Sequence, residues 1–84
     1  MKIEIKLFVS LRKYLPAEYS KQDSFVLEID DDETTSQLIE RFNIPVELAH
    51  LIMINGVYVT PEDRVKPIFK EDDVFAVWPP VAGG

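Results

Sequence analysis

The residues of this chain best suited to chemistry are its last four, Val81-Ala82-Gly83-Gly84, which follow Pro79-Pro80. Chemistry on a C-terminal carboxylate needs a slender segment, and glycine has no side chain and adopts φ and ψ values closed to other residues. Each proline fixes φ at about −65° and lacks an N–H donor, so a preceding strand should end there. Four extended residues reach roughly 13 Å, enough to carry the Gly84 carboxylate into the active site of another protein.

Two interpretations of this ending are open at this point, a reactive tail and an inert one, because chain termini are often disordered and without function. The apolar segment before the two prolines and the uncharged Val-Ala spacer after them favour the reactive tail. We therefore predict a folded domain over residues 1–80 and a flexible tail over residues 81–84.

No other residues have the types and spacing of an active site. His50 is the only histidine and cysteine is absent, which excludes disulfides, a thiol nucleophile and thiolate metal sites. The run Asp31-Asp32-Glu33 has the residue types of an acid–base pair or a magnesium site, but its position before a predicted helix favours a role in capping. We expect no metal and no bound cofactor, and a partner has to supply any sulfur.

The composition predicts a small soluble protein. The 84 residues, of which 46% are hydrophobic, are enough for one domain with a small core. No apolar run approaches the ~18 residues that cross a bilayer, and no targeting signal is evident, so we expect a cytoplasmic protein. The net charge of −6 repels phosphate groups, so we expect no nucleic-acid or membrane partner and favour basic protein surfaces.

Two strands and one helix are predicted in the first half of the chain. Alternating apolar residues predict a strand over residues 1–9 and a second over residues 25–30, paired as an antiparallel hairpin. A helix is predicted to begin near Thr34, because Thr34 and Gln37 have the spacing of a capping box, and to end before Pro45.

Three further strands are predicted over residues 51–54, 57–60 and 74–78. Asn55-Gly56, between the first two, predicts a type I′ turn. Strands before and after a single long helix are typical of an α+β protein. We predict the β-grasp (ubiquitin-like) fold, with a mixed five-stranded sheet and one main helix packed across one face.

The first and last strands are parallel neighbours in a β-grasp sheet, which would bring Phe8 and Trp78 together. If the helix covers the face that carries Ile5 and Leu7, Phe8 lies on the open face with Trp78 beside it. Aromatic side chains dominate interface energetics, so we predict a docking patch here. The alternative that remains open is that Trp78 caps the core. Arg12 is predicted at the rim of the patch, where it would pair with an acidic residue of a partner.

The ending from Asp73 to Gly84, with its Pro-Pro-Val-Ala-Gly-Gly sequence, closely resembles that of the MoaD family, the small sulfur-carrier subunits of molybdopterin synthase. The opening strand with Phe8, the following Leu11-Arg12 and the Asn55-Gly56 pair also resemble that family. The resemblance covers the whole length and implies a ubiquitin-like fold. In that family, aromatic residues at the positions of Phe8 and Trp78 and an arginine at that of Arg12 lie on the partner surface. We predict Gly83 and Gly84 as the reactive end, and the partner-binding residues are predicted to be Phe8, Arg12, Phe75, Trp78, Pro79, Pro80, Val81 and Ala82.

The resemblance implies a cycle of reactions at Gly84. A MoeB-type adenylyltransferase would use ATP to adenylate its carboxylate, and a sulfur donor, either a cysteine desulfurase or a rhodanese-like protein, would convert it to a thiocarboxylate. A MoaE-type large subunit would then take up the tail and transfer its sulfur to cyclic pyranopterin monophosphate. The chain would be the non-catalytic, sulfur-carrying subunit of this sulfurtransferase.

Three positions depart from the family pattern. Asp72 stands where glycine is common, Lys13 follows the arginine where an acidic residue is common, and Trp78 replaces the usual phenylalanine. These departures leave the partner open. The alternatives are a sulfur carrier for thiamin, cysteine or tRNA thiolation, a ubiquitin-like modifier joined to lysines, and an interaction domain with an inert tail.

Overall fold

The computed structural model describes residues 1–80 and contains one mixed sheet of five strands in the order β2-β1-β5-β3-β4. The central pair β1 and β5 is parallel, and the pairs β1–β2, β3–β5 and β3–β4 are antiparallel. The predicted β-grasp fold, with the first and last strands side by side, is confirmed. The strands are β1 Lys2–Leu7, β2 Phe25–Glu28, β3 Leu51–Ile54, β4 Val57–Tyr58 and β5 Val74–Trp78.

The helix α1, Thr35–Arg41, begins at the predicted capping box. The Thr34 hydroxyl accepts a hydrogen bond from the Gln37 N–H (3.2 Å), and the Thr34 N–H donates to the Gln37 side chain (2.8 Å). Both bonds satisfy groups that would otherwise lack a partner at the helix start. The helix ends at its seventh residue because Asn43 adopts a left-handed φ of 60°, and Pro45 follows.

The core lies between α1 and one face of the sheet. Alternation along β1 places Ile3, Ile5 and Leu7 on this face, each at most 1% exposed. Leu38 and Ile39 of α1 are buried in the same cluster. The other face of the sheet, called the open face below, carries the side chains that alternate with these.

The start of β5 is fixed by a side-chain network around the nearly buried Asp73. Its carboxylate accepts hydrogen bonds from the Asn55 side chain and the Lys70 N–H, both 2.8 Å. The Asn55 side-chain oxygen in turn accepts the Val74 N–H (2.8 Å). Asn55 and Gly56 both have positive φ, 53° and 80°, which confirms the predicted type I′ turn. The turn between β3 and β4 is thereby tied to the first residue of β5.

Three strands are shorter than predicted. β2 ends at Glu28 rather than at residue 30, although Ile29 still exchanges two backbone hydrogen bonds with Met1. β1 ends at Leu7 rather than at residue 9, because Val9 has a φ of 54° and starts a 3₁₀ helix, Val9–Tyr14. β4 ends at Tyr58 rather than at residue 60, because the Thr60 carbonyl accepts the N–H groups of Asp63 and Arg64 in a turn. None of the helices within residues 1–80 has the length and hydrophobicity needed to cross a membrane.

Candidate functional site

Phe8 and Trp78 stack face to face on the open face, with ring centroids 4.2 Å apart and planes within 1° of parallel. The register explains the contact, since Leu7 pairs with Val77 and the Phe8 N–H donates to the Val77 carbonyl (3.1 Å). Both rings are half-buried, and neither belongs to the core cluster. The predicted juxtaposition is therefore confirmed, and Trp78 packs on Phe8 rather than capping the core. This pair is called the aromatic patch.

The backbone on both sides of Phe8 is fixed. The Phe8 N–H is held by pairing with β5, and the Phe8 carbonyl accepts the N–H of the fully buried Leu11 (3.0 Å). The sharp turn between them depends on Val9, a β-branched residue with a left-handed φ of 54° and a side chain 73% exposed. Such residues avoid this conformation, so the turn that ends β1 beside the patch is strained.

The neighbouring strand β3 extends the apolar surface beside the patch. Leu51 is the register partner of Trp78, and Met53 is the partner of Ala76. Both side chains are half-buried on the open face, because Ile52 between them points into the core. Leu51 and Met53 were not among the predicted partner-binding residues. The alternation around Ile52, combined with the β-grasp strand order, was the signal that could have found them.

The chain leaves the sheet directly beside the patch. The Trp78 carbonyl accepts the N–H of His50 (3.1 Å), Pro79 is buried, and Pro80 is exposed. The last backbone hydrogen bond of β5 is therefore made at Trp78, as the two prolines predict. The four residues that follow, Val81, Ala82, Gly83 and Gly84, lie outside the described residues, and their predicted roles remain predictions.

Arg12 binds within its own chain. Its guanidinium donates to the Gln22 carbonyl (2.9 Å) and lies 3.7 Å from the Asp23 carboxylate, which is fully exposed. Exposed pairs of this kind contribute about 0–1 kcal/mol, so Asp23 competes only weakly with another carboxylate. Pairing of Arg12 with a partner protein stays a prediction.

Phe75 is a correction to the predicted partner-binding set. Its side chain is fully buried and packs edge to face on Phe69, with centroids 5.5 Å apart. Alternation along β5 places positions 75 and 77 on the face covered by α1, so Phe75 stabilises the core and does not reach the surface of the folded domain.

The acidic run before α1 forms ion pairs and a loop hydrogen bond rather than the predicted capping bonds, since Thr34 and Gln37 cap the helix. Glu33 pairs with Arg41 at the far end of α1 (3.3 Å) and accepts a hydrogen bond from the Asp30 N–H (3.3 Å). Between residues 1 and 80, no cluster of three or more His, Cys, Asp or Glu side chains is arranged to hold a metal ion.

The topology and the single crossing helix define a ubiquitin-like β-grasp protein, and the patch lies beside the end of its last strand. The family model of the ThiS family matches residues 5–84, and the chain therefore belongs to this family of ubiquitin-like sulfur carriers. No curated protein matches the chain significantly by sequence.

Solved structures with the same fold come from archaea and bacteria. The HVO 2177 protein of Haloferax volcanii is 25% identical with a TM-score of 0.74, covering 100% of this chain and 87% of its own. SAMP1 of the same organism is 20% identical with a TM-score of 0.63, covering 100% of both chains. A chain from the complex of subunits 1 and 2 of molybdopterin-converting factor from Helicobacter pylori is 19% identical, with a TM-score of 0.57 and 100% coverage of both.

Proposed function

We propose that this chain is the sulfur-carrying small subunit of a molybdopterin synthase. In this proposal Gly84 is the last residue of the mature chain. Its carboxylate is adenylated by a MoeB-type adenylyltransferase and converted to a thiocarboxylate. A MoaE-type large subunit then transfers the sulfur to cyclic pyranopterin monophosphate. The observation that carries the proposal is the aromatic patch beside the strand end, and membership of the ThiS family supports the carrier chemistry.

The proposed chemistry needs no side chain of the carrier. A Gly84 carboxylate oxygen attacks the α-phosphorus of ATP, forming the acyl adenylate and releasing pyrophosphate. A sulfide sulfur then attacks the acyl carbon, and AMP leaves with the oxygen that joined it to the chain. Adenylation is required because a free carboxylate lacks a good leaving group. The partners supply the catalytic groups, and the carrier supplies the reacting carboxylate in a defined position.

The domain contributes a rigid docking surface. Phe8 and Trp78 hold each other in place, and backbone hydrogen bonds fix the residues that carry both rings. Side chains that are already ordered lose little conformational entropy when a partner binds. A partner that docks on the patch also lies next to Pro80, from which the last four residues continue. Docking and delivery of Gly84 are therefore coupled by position.

The proposal is tested by incubating the purified chain with a MoeB-type adenylyltransferase, ATP and sulfide, and measuring its intact mass. We expect a mass gain equal to the exchange of one oxygen atom for one sulfur atom, and no gain when ATP or the adenylyltransferase is omitted. An unchanged mass in the complete reaction, with a known carrier thiolated in parallel, would contradict every sulfur-carrier role.

The molybdopterin pathway is tested by adding the thiocarboxylated chain to a MoaE-type large subunit and cyclic pyranopterin monophosphate. We expect the dithiolene product and return of the chain to its original mass. Sulfur transfer only to a thiamin, cysteine or tRNA acceptor would instead assign the chain to that pathway. Lysine-linked peptides that carry Gly84 in cell extracts would identify a protein modifier.

A further inference from the structure

Strand β2 forms one edge of the sheet, and its outer backbone groups face away from β1. Met1 and Ile29 exchange two backbone hydrogen bonds, each 2.8 Å. Bonded and non-bonded pairs alternate in an antiparallel ladder, so Leu27 also bonds β1 whereas Val26 and Glu28 do not. The N–H and C=O groups of Val26 and Glu28 therefore point outward, where no segment of residues 1–80 forms a further strand.

This edge is held in a fixed, extended shape. The Tyr19 ring stacks on Phe25 with centroids 4.5 Å apart, and Phe25 packs edge to face on Phe42 of the core. Val26 is 62% exposed on the open face. Proline, charged side chains (lysine above all) or a bulge commonly protect edge strands, whereas β2 contains neither proline nor lysine and Glu28 is its only charged residue. The opposite edge strand, β4, has only two residues, so β2 offers the longer template.

The surroundings of β2 are acidic. Residues 21–33 contain six carboxylates and one lysine. Glu28 accepts a hydrogen bond from the Met1 amino group, which raises the pKa of that amino group and offsets part of the charge. Asp30 and Asp32 have no cation of the described chain within ion-pair distance. A cationic strand is therefore a better match for this edge than an acidic or neutral one.

We propose that the free edge of β2 is a second interaction surface, which binds an extended, lysine- or arginine-rich segment of a partner protein as an added strand. Main-chain hydrogen bonds to Val26 and Glu28 would supply affinity, and the flanking carboxylates would select the positive charge. A second copy of this chain fits poorly, because pairing two such edges brings like charges together.

The edge is separate from the aromatic patch. Strand β1 lies between β2 and β5, which puts the edge about 10 Å from the strand that carries Trp78. A single partner can therefore occupy the patch and the edge together, or two partners can occupy them separately. Binding at this edge does not involve Gly84, so it can be tested independently of the sulfur-carrier proposal.

The test uses the isotope-labelled full chain and a capped hexapeptide of alternating lysine and valine, followed by two-dimensional NMR. We expect saturable shifts of the Val26 and Glu28 amides and slower hydrogen exchange at both. The same peptide with alternate backbone nitrogens methylated should bind about tenfold more weakly, because it cannot form the ladder. A hexapeptide of alternating glutamate and valine should not bind.

A matched pair of variants tests the charge requirement. Glu28→Gln should weaken lysine-peptide binding about threefold, while Glu62→Gln, with the same change of net charge in the loop after β4, should leave it unchanged. Equal losses in both variants would overturn the proposal, as would equal binding of the methylated peptide. Shifts centred on Phe8 and Trp78 would overturn it too. Concentration-dependent shifts of Val26 without peptide would assign the edge to a second copy instead.

Discussion

Trp78 is the residue on which the proposed docking depends most. Its ring is stacked on Phe8 outside the core cluster, so Trp78→Ala removes contact surface without opening a cavity in the core. We expect about 30-fold weaker binding to a MoaE-type large subunit, which corresponds to ~2 kcal/mol for an aromatic hot spot. The loss of thermal stability should be smaller, because the ring is only partly buried and lies outside the core.

The measurement is calorimetric binding combined with a thermal melt of each variant. Tyr58→Ala is the matched control, because Tyr58 is a 48%-exposed aromatic residue on the short edge strand and takes no part in the stack. A large drop in melting temperature with unchanged affinity for Trp78→Ala would show that the stack serves stability rather than docking.

Val9 carries backbone strain that a glycine would relieve. A left-handed conformation costs an L-residue about 1–2 kcal/mol, and β-branched side chains tolerate it least. Val9 is 73% exposed, so Val9→Gly removes little packing, and the greater freedom of the unfolded glycine offsets only part of the gain. We expect the free energy of unfolding to rise by about 1 kcal/mol.

Chemical denaturation measures this change, and Asn43→Gly is its control. Asn43 has a similar φ of 60°, but asparagine tolerates the left-handed region, so its replacement should be nearly neutral. If Val9→Gly instead destabilises the protein, contacts of the valine side chain stabilise the turn after Phe8 by more than the strained backbone costs.

Within each strand, the sequence predicts which face a side chain occupies better than it predicts the role of that side chain. The β-grasp strand order with period-2 alternation is sufficient to place Phe8 beside Trp78. The same alternation puts Phe75 in the core, so its place among the predicted partner-binding residues contradicted that rule. The contacts of Arg12 with Gln22 and Asp23 were not predictable, because they depend on the path of an irregular loop.

At the level of elements, the Asp73 network determines where β5 begins. Asp73→Ala leaves the Asn55 side-chain amide and the Lys70 N–H without their acceptor, and each such loss costs about 1–3 kcal/mol. We expect the free energy of unfolding to fall by about 2–4 kcal/mol, which denaturant titration measures.

Asp73→Asn is the conservative control, because one amide oxygen can still accept one of the two hydrogen bonds. It should lose about half as much stability as Asp73→Ala. Equal losses would show that the charge of Asp73 matters more than the number of hydrogen bonds it accepts.

Element boundaries were harder to predict than element types. β1 stops where Val9 leaves the extended region, which no local residue preference signals, and β4 stops shortly before the turn at Thr60. Asp72, where glycine is common in the resembling family, has a φ of 69°. The departure seen in the sequence therefore marks a real left-handed turn, which aspartate also tolerates.

For the whole molecule, fold and strand order were predictable, and the free edge of β2 was not. The five strands and the helix follow from alternation, the capping box and the Asn55-Gly56 turn. Whether Val26 directs its backbone groups inward or outward depends on the phase of the hydrogen-bond ladder with β1, which differs by one residue between the two cases. That phase is fixed by three-dimensional pairing and is absent from any local sequence pattern.

The proposed division between a folded domain over residues 1–80 and a reactive end at Gly84 leads to the last prediction. The buried core extends from Ile3 to Val77, so deletion of Gly84 should leave the melting temperature within about 1 °C of the full chain. The same deletion should abolish thiolation by the adenylyltransferase, ATP and sulfide. It shortens the predicted tail, residues 81–84, by one residue, which moves the terminal carboxylate back by about 3.5 Å.

The measurement is a thermal melt with intact mass after the thiolation reaction, and Glu62→Gln serves as a distant control that should retain both properties. A large fall in melting temperature on deletion would mean that the last residue contributes to the folded domain, against the proposed division. Full thiolation of the shortened chain would instead show that the adenylyltransferase does not require a tail of four residues. In that case docking on the aromatic patch would not determine which carboxylate reacts.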